Sequence, residues 1–125
     1  MLKQLVMIAG GGAVGAVMRF LVSTGVHRLA GREFPYGTLS VNVFGSLLIG
    51  FLYIYLIERA SLGPEWRALL IIGFLGAFTT FSTFSMETLN LIENSELIKA
   101  ASNILLSVVL CLFATWVGVL VGRQI

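Results

Sequence analysis

Aspartate is absent from these 125 residues, and charge of any kind is scarce: six glutamates and eight lysines or arginines make the chain 11% charged. An ordinary soluble domain is about a quarter charged. The shortage argues against a soluble fold. With 58% hydrophobic residues and a mean hydropathy of +0.98, a chain this short could not hide its apolar surface from water, because small domains bury only part of what they expose. Lipid as the solvent removes that conflict. A net charge of +2 without any basic run argues against a nucleic-acid partner. Cysteine occurs once, as Cys111, so no internal disulfide framework is possible. Its apolar surroundings carry no information about redox compartment. The two prolines, Pro35 and Pro64, both fall in connections between long apolar runs.

Those runs are the dominant feature. A helix crosses a bilayer with about 20 largely apolar residues, and four stretches qualify, at about 5–26, 36–57, 67–89 and 98–121. The first has a lysine, an apolar core and small residues, like a signal peptide. Its apolar pattern nevertheless continues through Phe20-Leu21-Val22, too long for a signal core, and it reads as a membrane span. The expected fold is an all-α membrane protein: one four-helix transmembrane domain over 1–125 with short connections, no second domain and no internal repeat.

With four spans, both termini share a side with the second connection. That side collects Lys3, Arg59, Arg67 and Arg123; the other collects Arg28, Arg32 and Lys99. Topology follows the lysine and arginine excess in short loops, and four against three is hardly an excess. Either a weak bias still orients the chain one way, or the chain inserts both ways and pairs with an inverted copy of itself. Gly11 with Gly15, and Gly118 with Gly122, form pairs of small residues at helical spacing that permit close helix approach, within one subunit or between two. A homodimer is the expectation.

Function is sought in polar groups inside the spans, since each is costly there unless it faces protein or water. Thr38, Asn42 and Ser46 share one face of the second span, and Asn103, Ser107, Cys111 and Thr115 share one of the fourth. The third span carries the densest run, Gly73-Phe-Leu-Gly76-Ala-Phe-Thr79-Thr80-Phe81-Ser82-Thr83-Phe84-Ser85. One stripe alone would be read as interhelical hydrogen bonding. Three in a four-span chain point to a lined pathway. No carboxylate lies within the first, second or fourth span, and Glu87 stands near the end of the third. Arg19, deep in the first, is either an anchor to helix-end carbonyls or an anion-attracting charge at a pore mouth. The balance tilts toward an anion as the transported species.

The third span also contains Gly73 and Gly76 followed by Thr79-Thr80, a weak stretch of helix. A packed, glycine-tolerant helix fits it. So does a break that frees carbonyl oxygens at mid-bilayer depth, which protein, water or an ion must then satisfy. Phe78, Phe81 and Phe84 recur every three residues, interleaved with Ser82 and Thr83, and aromatic rings carry a positive edge that suits a small anion.

Three blocks in order resemble the Fluc (CrcB) family of fluoride channels over the whole chain: Gly12-Ala-Val-Gly15-Ala-Val-Met-Arg19-Phe20, Gly37-Thr38-Leu-Ser-Val41-Asn42-Val-Phe-Gly45-Ser, and Gly73-Phe-Leu-Gly76-Ala-Phe-Thr79-Thr80-Phe81-Ser82-Thr83-Phe84. The resemblance implies a passive fluoride-selective channel in the cell (inner) membrane. It would be a dual-topology homodimer with an inverted copy, contain two pores, and confer fluoride resistance. It implies a third helix broken near its middle, with the carbonyls of Gly76 and Thr79 holding a structural sodium ion at the dimer interface. By the same resemblance, Asn42, Phe81 and Phe84 line the fluoride pathway, Ser82 and Thr83 form a hydroxyl track beside it, and Ser107 and Thr115 flank it from the fourth span. Arg19 and Glu87 fall at the vestibules. Many weak donors suit a strongly hydrated ion that must also leave.

Two rivals remain. A small multidrug-type proton-coupled exporter has four spans as well, but it needs an intramembrane carboxylate in the first span, where this chain has Arg19. A non-transporting assembly subunit would use the polar stripes only as interhelical glue. No enzymatic activity is expected.

Overall fold

The computed structural model describes residues 1–59 and 62–125 and is all-helical. Residues 60 and 61, within the second connection read from the sequence, lie outside the described residues. Among the described residues, four helices are long and apolar enough to cross a membrane: Leu2–Ala30, Tyr36–Arg59, Pro64–Glu93 and Leu97–Gln124. Each contains the corresponding apolar run and extends a few residues past it, because a helix continues into the polar interface until a breaker stops it.

The breakers are identifiable. Helix α1, Leu2–Ala30, stops where Gly31 takes φ 90°, a conformation costly for a residue with a Cβ; its N–H still reaches His27 O at 2.8 Å. Helix α2, Tyr36–Arg59, follows buried Pro35 and winds over its last seven residues, Tyr53–Arg59, with the wider π-type turn. The third span starts with Pro64 at the first helical position, where a missing N–H costs nothing. It runs as α3 over 64–78, π-wound at Ala68–Leu75, and resumes as α4, Phe81–Glu93. Ser95, at φ 61°, turns the chain after α4. Its N–H bonds Ile92 O and that of Glu96 bonds Leu91 O, the paired bonds that close a helix C-terminus. Helix α5 is Leu97–Gln124.

Two tight pairs organise the bundle: α1 packs along α3, and α2 along α5. Glycine makes both possible. A Cβ on Gly11 would strike Leu69 O of α3, and one on Gly15 would strike Phe74 O. On the other side, Gly50 abuts the Thr115 carbonyl and Gly118 the Leu47 carbonyl. The small-residue pairs of the first and fourth spans are therefore occupied inside one chain, where close backbone approach replaces a hydrophobic drive that lipid does not provide. The core holds Val41, Ile54, Leu75 and Phe78, together with the buried polar residues Thr38, Thr88, Asn103 and Ser107. In the most apolar window of each span only 11–28% of residues are buried within the chain, so lipid or further protein must cover the rest.

Candidate functional site

The site is built around Thr79 and Thr80, midway along the third span. Both have extended torsions (φ −89°, ψ 161° and φ −153°, ψ 118°), so helical bonding lapses between Phe78 and Phe81. Each backbone group that the lapse releases must find a partner at membrane depth. In a continuous helix Thr80 N–H would bond Gly76 O; here it donates to Asn42 Oδ1 at 2.8 Å, while Asn42 Nδ2 donates to Thr80 O at 3.0 Å. The Asn42 side-chain amide thus pairs with both backbone groups of one residue. Arg19 Nε donates to Ala77 O at 2.9 Å. Thr80 Oγ1 caps α4 by accepting from Thr83 N–H at 3.2 Å and lies 3.1 Å from Thr83 Oγ1. Thr79 Oγ1 donates back to Leu75 O at 3.0 Å.

A second network ties α4 to α5. Asn103, only 1% exposed, donates through Nδ2 to Thr88 Oγ1 at 2.9 Å. Thr88 Oγ1 donates in turn to Phe84 O at 2.7 Å, and Ser107 Oγ stands 3.5 Å from Asn103 Oδ1. Buried polar groups in lipid are tolerable when satisfied in this way.

Beside the interruption runs an open groove of about 510 Å³, with walls from α2, both halves of the third span, and α5. Its polar lining comes from Asn42, Ser46, Thr79, Thr80, Ser107 and Cys111, and its aromatic lining from Phe81 and Phe84. The two rings lie 5.4 Å apart between centroids, tilted by 45°, and Phe81 is 78% exposed. Among the described residues, no charged side chain lines it. An amide nitrogen carries two hydrogens, so Asn42 retains one donor beyond its bond to Thr80.

A separate cavity of about 360 Å³ lies at one end of the bundle, lined by His27, Arg32, Glu33, Glu87, Asn90, Asn94, Glu96 and Lys99. Glu87 Oε1 is buried there without a hydrogen-bond partner among the described residues. His27 Nε2 accepts from Gly37 N–H at 3.1 Å, tying the end of α1 to the start of α2.

Of the residues singled out in the sequence, Asn42, Gly76, Thr79, Phe81, Phe84 and Ser107 come together in the groove. Thr83 is engaged in the α4 cap, and Ser82, exposed, sits 3.5 Å from Thr80 Oγ1. Thr115 is half-buried on α5 outside the groove, with its carbonyl against Gly50. Arg19 reaches the last turn of α3, and Glu87 faces the end cavity. The sequence placed Thr80 in the weak stretch of the third span but gave no sign of its pairing with Asn42, and it gave no role to Thr88, which carries the α4–α5 network. Thr80 showed one usable sign: a threonine three residues before another polar residue at a helix start.

The chain matches the family model described as CrcB-like protein, Camphor Resistance (CrcB), over residues 6–119. It is 57% identical over 122 residues to a "Fluoride-specific ion channel FluC" of Methylococcus capsulatus, covering 98% of this chain and 54% of that protein, so it spans about half the length of that relative. It is 53% identical over 125 residues to a protein of the same name from Coxiella burnetii, covering 99% of this chain and all of the relative. A third of that name, from Geobacter sulfurreducens, is 50% identical over 124 residues, with 99% and 100% covered.

Proposed function

This chain belongs to the CrcB-like protein family, and on that premise we propose that it is a fluoride-specific ion channel, a multi-pass membrane protein and not an enzyme. The observation that carries the reading is the groove: polar groups and the rings of Phe81 and Phe84 at membrane depth, with no charged side chain among the described residues that line it. A fixed cation would trap a halide and a carboxylate would repel it, whereas several modest donors let it enter and leave. The pathway would be lined by Asn42, Phe81, Phe84 and Ser107, with Ser82, Thr83 and Thr115 extending the hydroxyl track, Glu87 toward one end, and Arg19 beside the interruption through its bond to Ala77 O instead of at a vestibule. Hydrogen fluoride enters a cell neutral and dissociates in the more alkaline cytosol. A passive channel in the inner membrane lets the potential, negative inside, drive the ion out and so gives fluoride resistance.

The dimer is part of the proposal. Thr79, Thr80 and Gly76 lie along an open groove wall, and irregular backbone at membrane depth is tolerated only under protein or water. A second, inverted copy laid over the groove would cover it and complete two pores, in keeping with the near-balanced loop charges. Sodium fits the same place. With Thr80 N–H turned to Asn42 and Thr83 N–H to Thr80 Oγ1, the carbonyls of Gly76 and Thr79 are released from their helical donors, and hard carbonyl oxygens suit that ion. When bound, it would supply a fixed positive charge at the dimer centre.

Purified protein reconstituted into liposomes, with no partner added, should release fluoride and pass little chloride. No fluoride release from competently reconstituted dimers would discard the channel in favour of an assembly subunit. Release of organic cations coupled to protons would favour the exporter.

A further inference from the structure

The interruption of the third span is gripped from two other helices. Asn42 of α2 occupies both backbone groups of Thr80, and Arg19 of α1 occupies the carbonyl of Ala77. In an unbroken helix Ala77 O would receive Phe81 N–H and Gly76 O would receive Thr80 N–H. The two side chains therefore stand in for the bonding whose loss defines the interruption. Asn42 also holds Thr80, the cap residue of α4, and Phe81 and Phe84 follow in the first turn of that helix.

We propose that Arg19 and Asn42 form a two-point clamp that holds the third span broken. On this view they are positioning residues of the pathway, and Arg19 acts there through its Nε hydrogen-bond donor and not through its charge. The inference deepens the channel reading and rests on it for the flux measurements only.

The geometry of Arg19 makes the claim testable. The bond to Ala77 comes from Nε, not from the terminal guanidinium nitrogens. Glutamine carries its amide nitrogen at the same number of bonds from Cα and can donate from the same place without charge. Lysine keeps the charge but puts a methylene there and its donor one bond further out. An anion-attracting role ranks lysine above glutamine; a clamp ranks them the other way. For Asn42, leucine has similar bulk and neither donor nor acceptor, so Thr80 N–H would lose its partner.

Fluoride efflux from liposomes is compared for wild type, Arg19→Gln and Arg19→Lys, each per unit of monodisperse protein. Arg19→Gln should retain flux about tenfold above Arg19→Lys, the factor that one hydrogen bond of ordinary strength represents. Equal flux, or more through the lysine variant, overturns the Arg19 half. Amide hydrogen exchange at Thr80 should be slow in wild type and at least about tenfold faster in Asn42→Leu. Unchanged protection overturns the Asn42 half. Exchange needs no ion flux, so slow exchange at Thr80 in a wild-type protein that passes no fluoride would sink the channel reading while leaving the clamp standing.

Discussion

A hydroxyl or amide at membrane depth has three possible partners: its own backbone, another helix, or whatever passes. The polar residues here divide among them. Thr79 bonds back to Leu75, Asn103 reaches across to Thr88, and Ser46, Ser107 and Cys111 face the groove. Phe81 lines the same groove. A phenylalanine 78% exposed is unremarkable against lipid, yet this one stands beside Thr79 and Thr80 with Phe84 at 5.4 Å. If the ring edges meet the ion, Phe81→Ile, which keeps the apolar bulk and discards the positive edge, should cut fluoride flux at least about tenfold. The proposed dimer should remain intact by size-exclusion chromatography, and near-normal flux would remove the ring from the pathway.

At the scale of the helices, close contact depends on particular glycines and not on glycine content. Gly10 and Gly15 lie five positions apart on α1, with opposite surroundings. A Cβ on Gly15 would collide with the backbone of Phe74, whereas one on Gly10 would meet nothing within 4 Å. Gly15→Ala should therefore destabilise by about 1–3 kcal/mol through overpacking against α3, and Gly10→Ala should cost nothing. Thermal unfolding in detergent reads the contrast, and equal effects would contradict the α1–α3 contact. The same glycine spacing that could serve a dimer seam in the sequence is filled by the chain's own helices. The covering of the groove must then come from a different surface.

For the whole molecule, the proposed inverted copy would use the groove wall itself as that surface, and loop charge bears on that proposal. Lys3, Arg59, Arg67 and Arg123 on one side against Arg28, Arg32 and Lys99 on the other are nearly balanced, as the proposed two-way insertion requires. A tag at the C-terminus should be reachable by impermeant label from both faces of the membrane in comparable amounts. Labelling from a single face would refute the inverted pair and require another partner over Thr79 and Thr80.

The spans were legible because crossing lipid demands a local property, about 20 contiguous apolar residues, and each of the four runs met that demand on its own. The lack of carboxylates in three spans and the membership in the CrcB-like family were also matters of sequence alone. What remained undecided was where each polar side chain finds its partner, because those partners are remote: Asn42 and Thr80 are 38 positions apart, and Arg19 and Ala77 are 58. A glycine-rich third span could have packed as one continuous helix. Its course at Thr79-Thr80 was settled only in the folded chain, where two other helices supply partners for Thr80 N–H and Ala77 O.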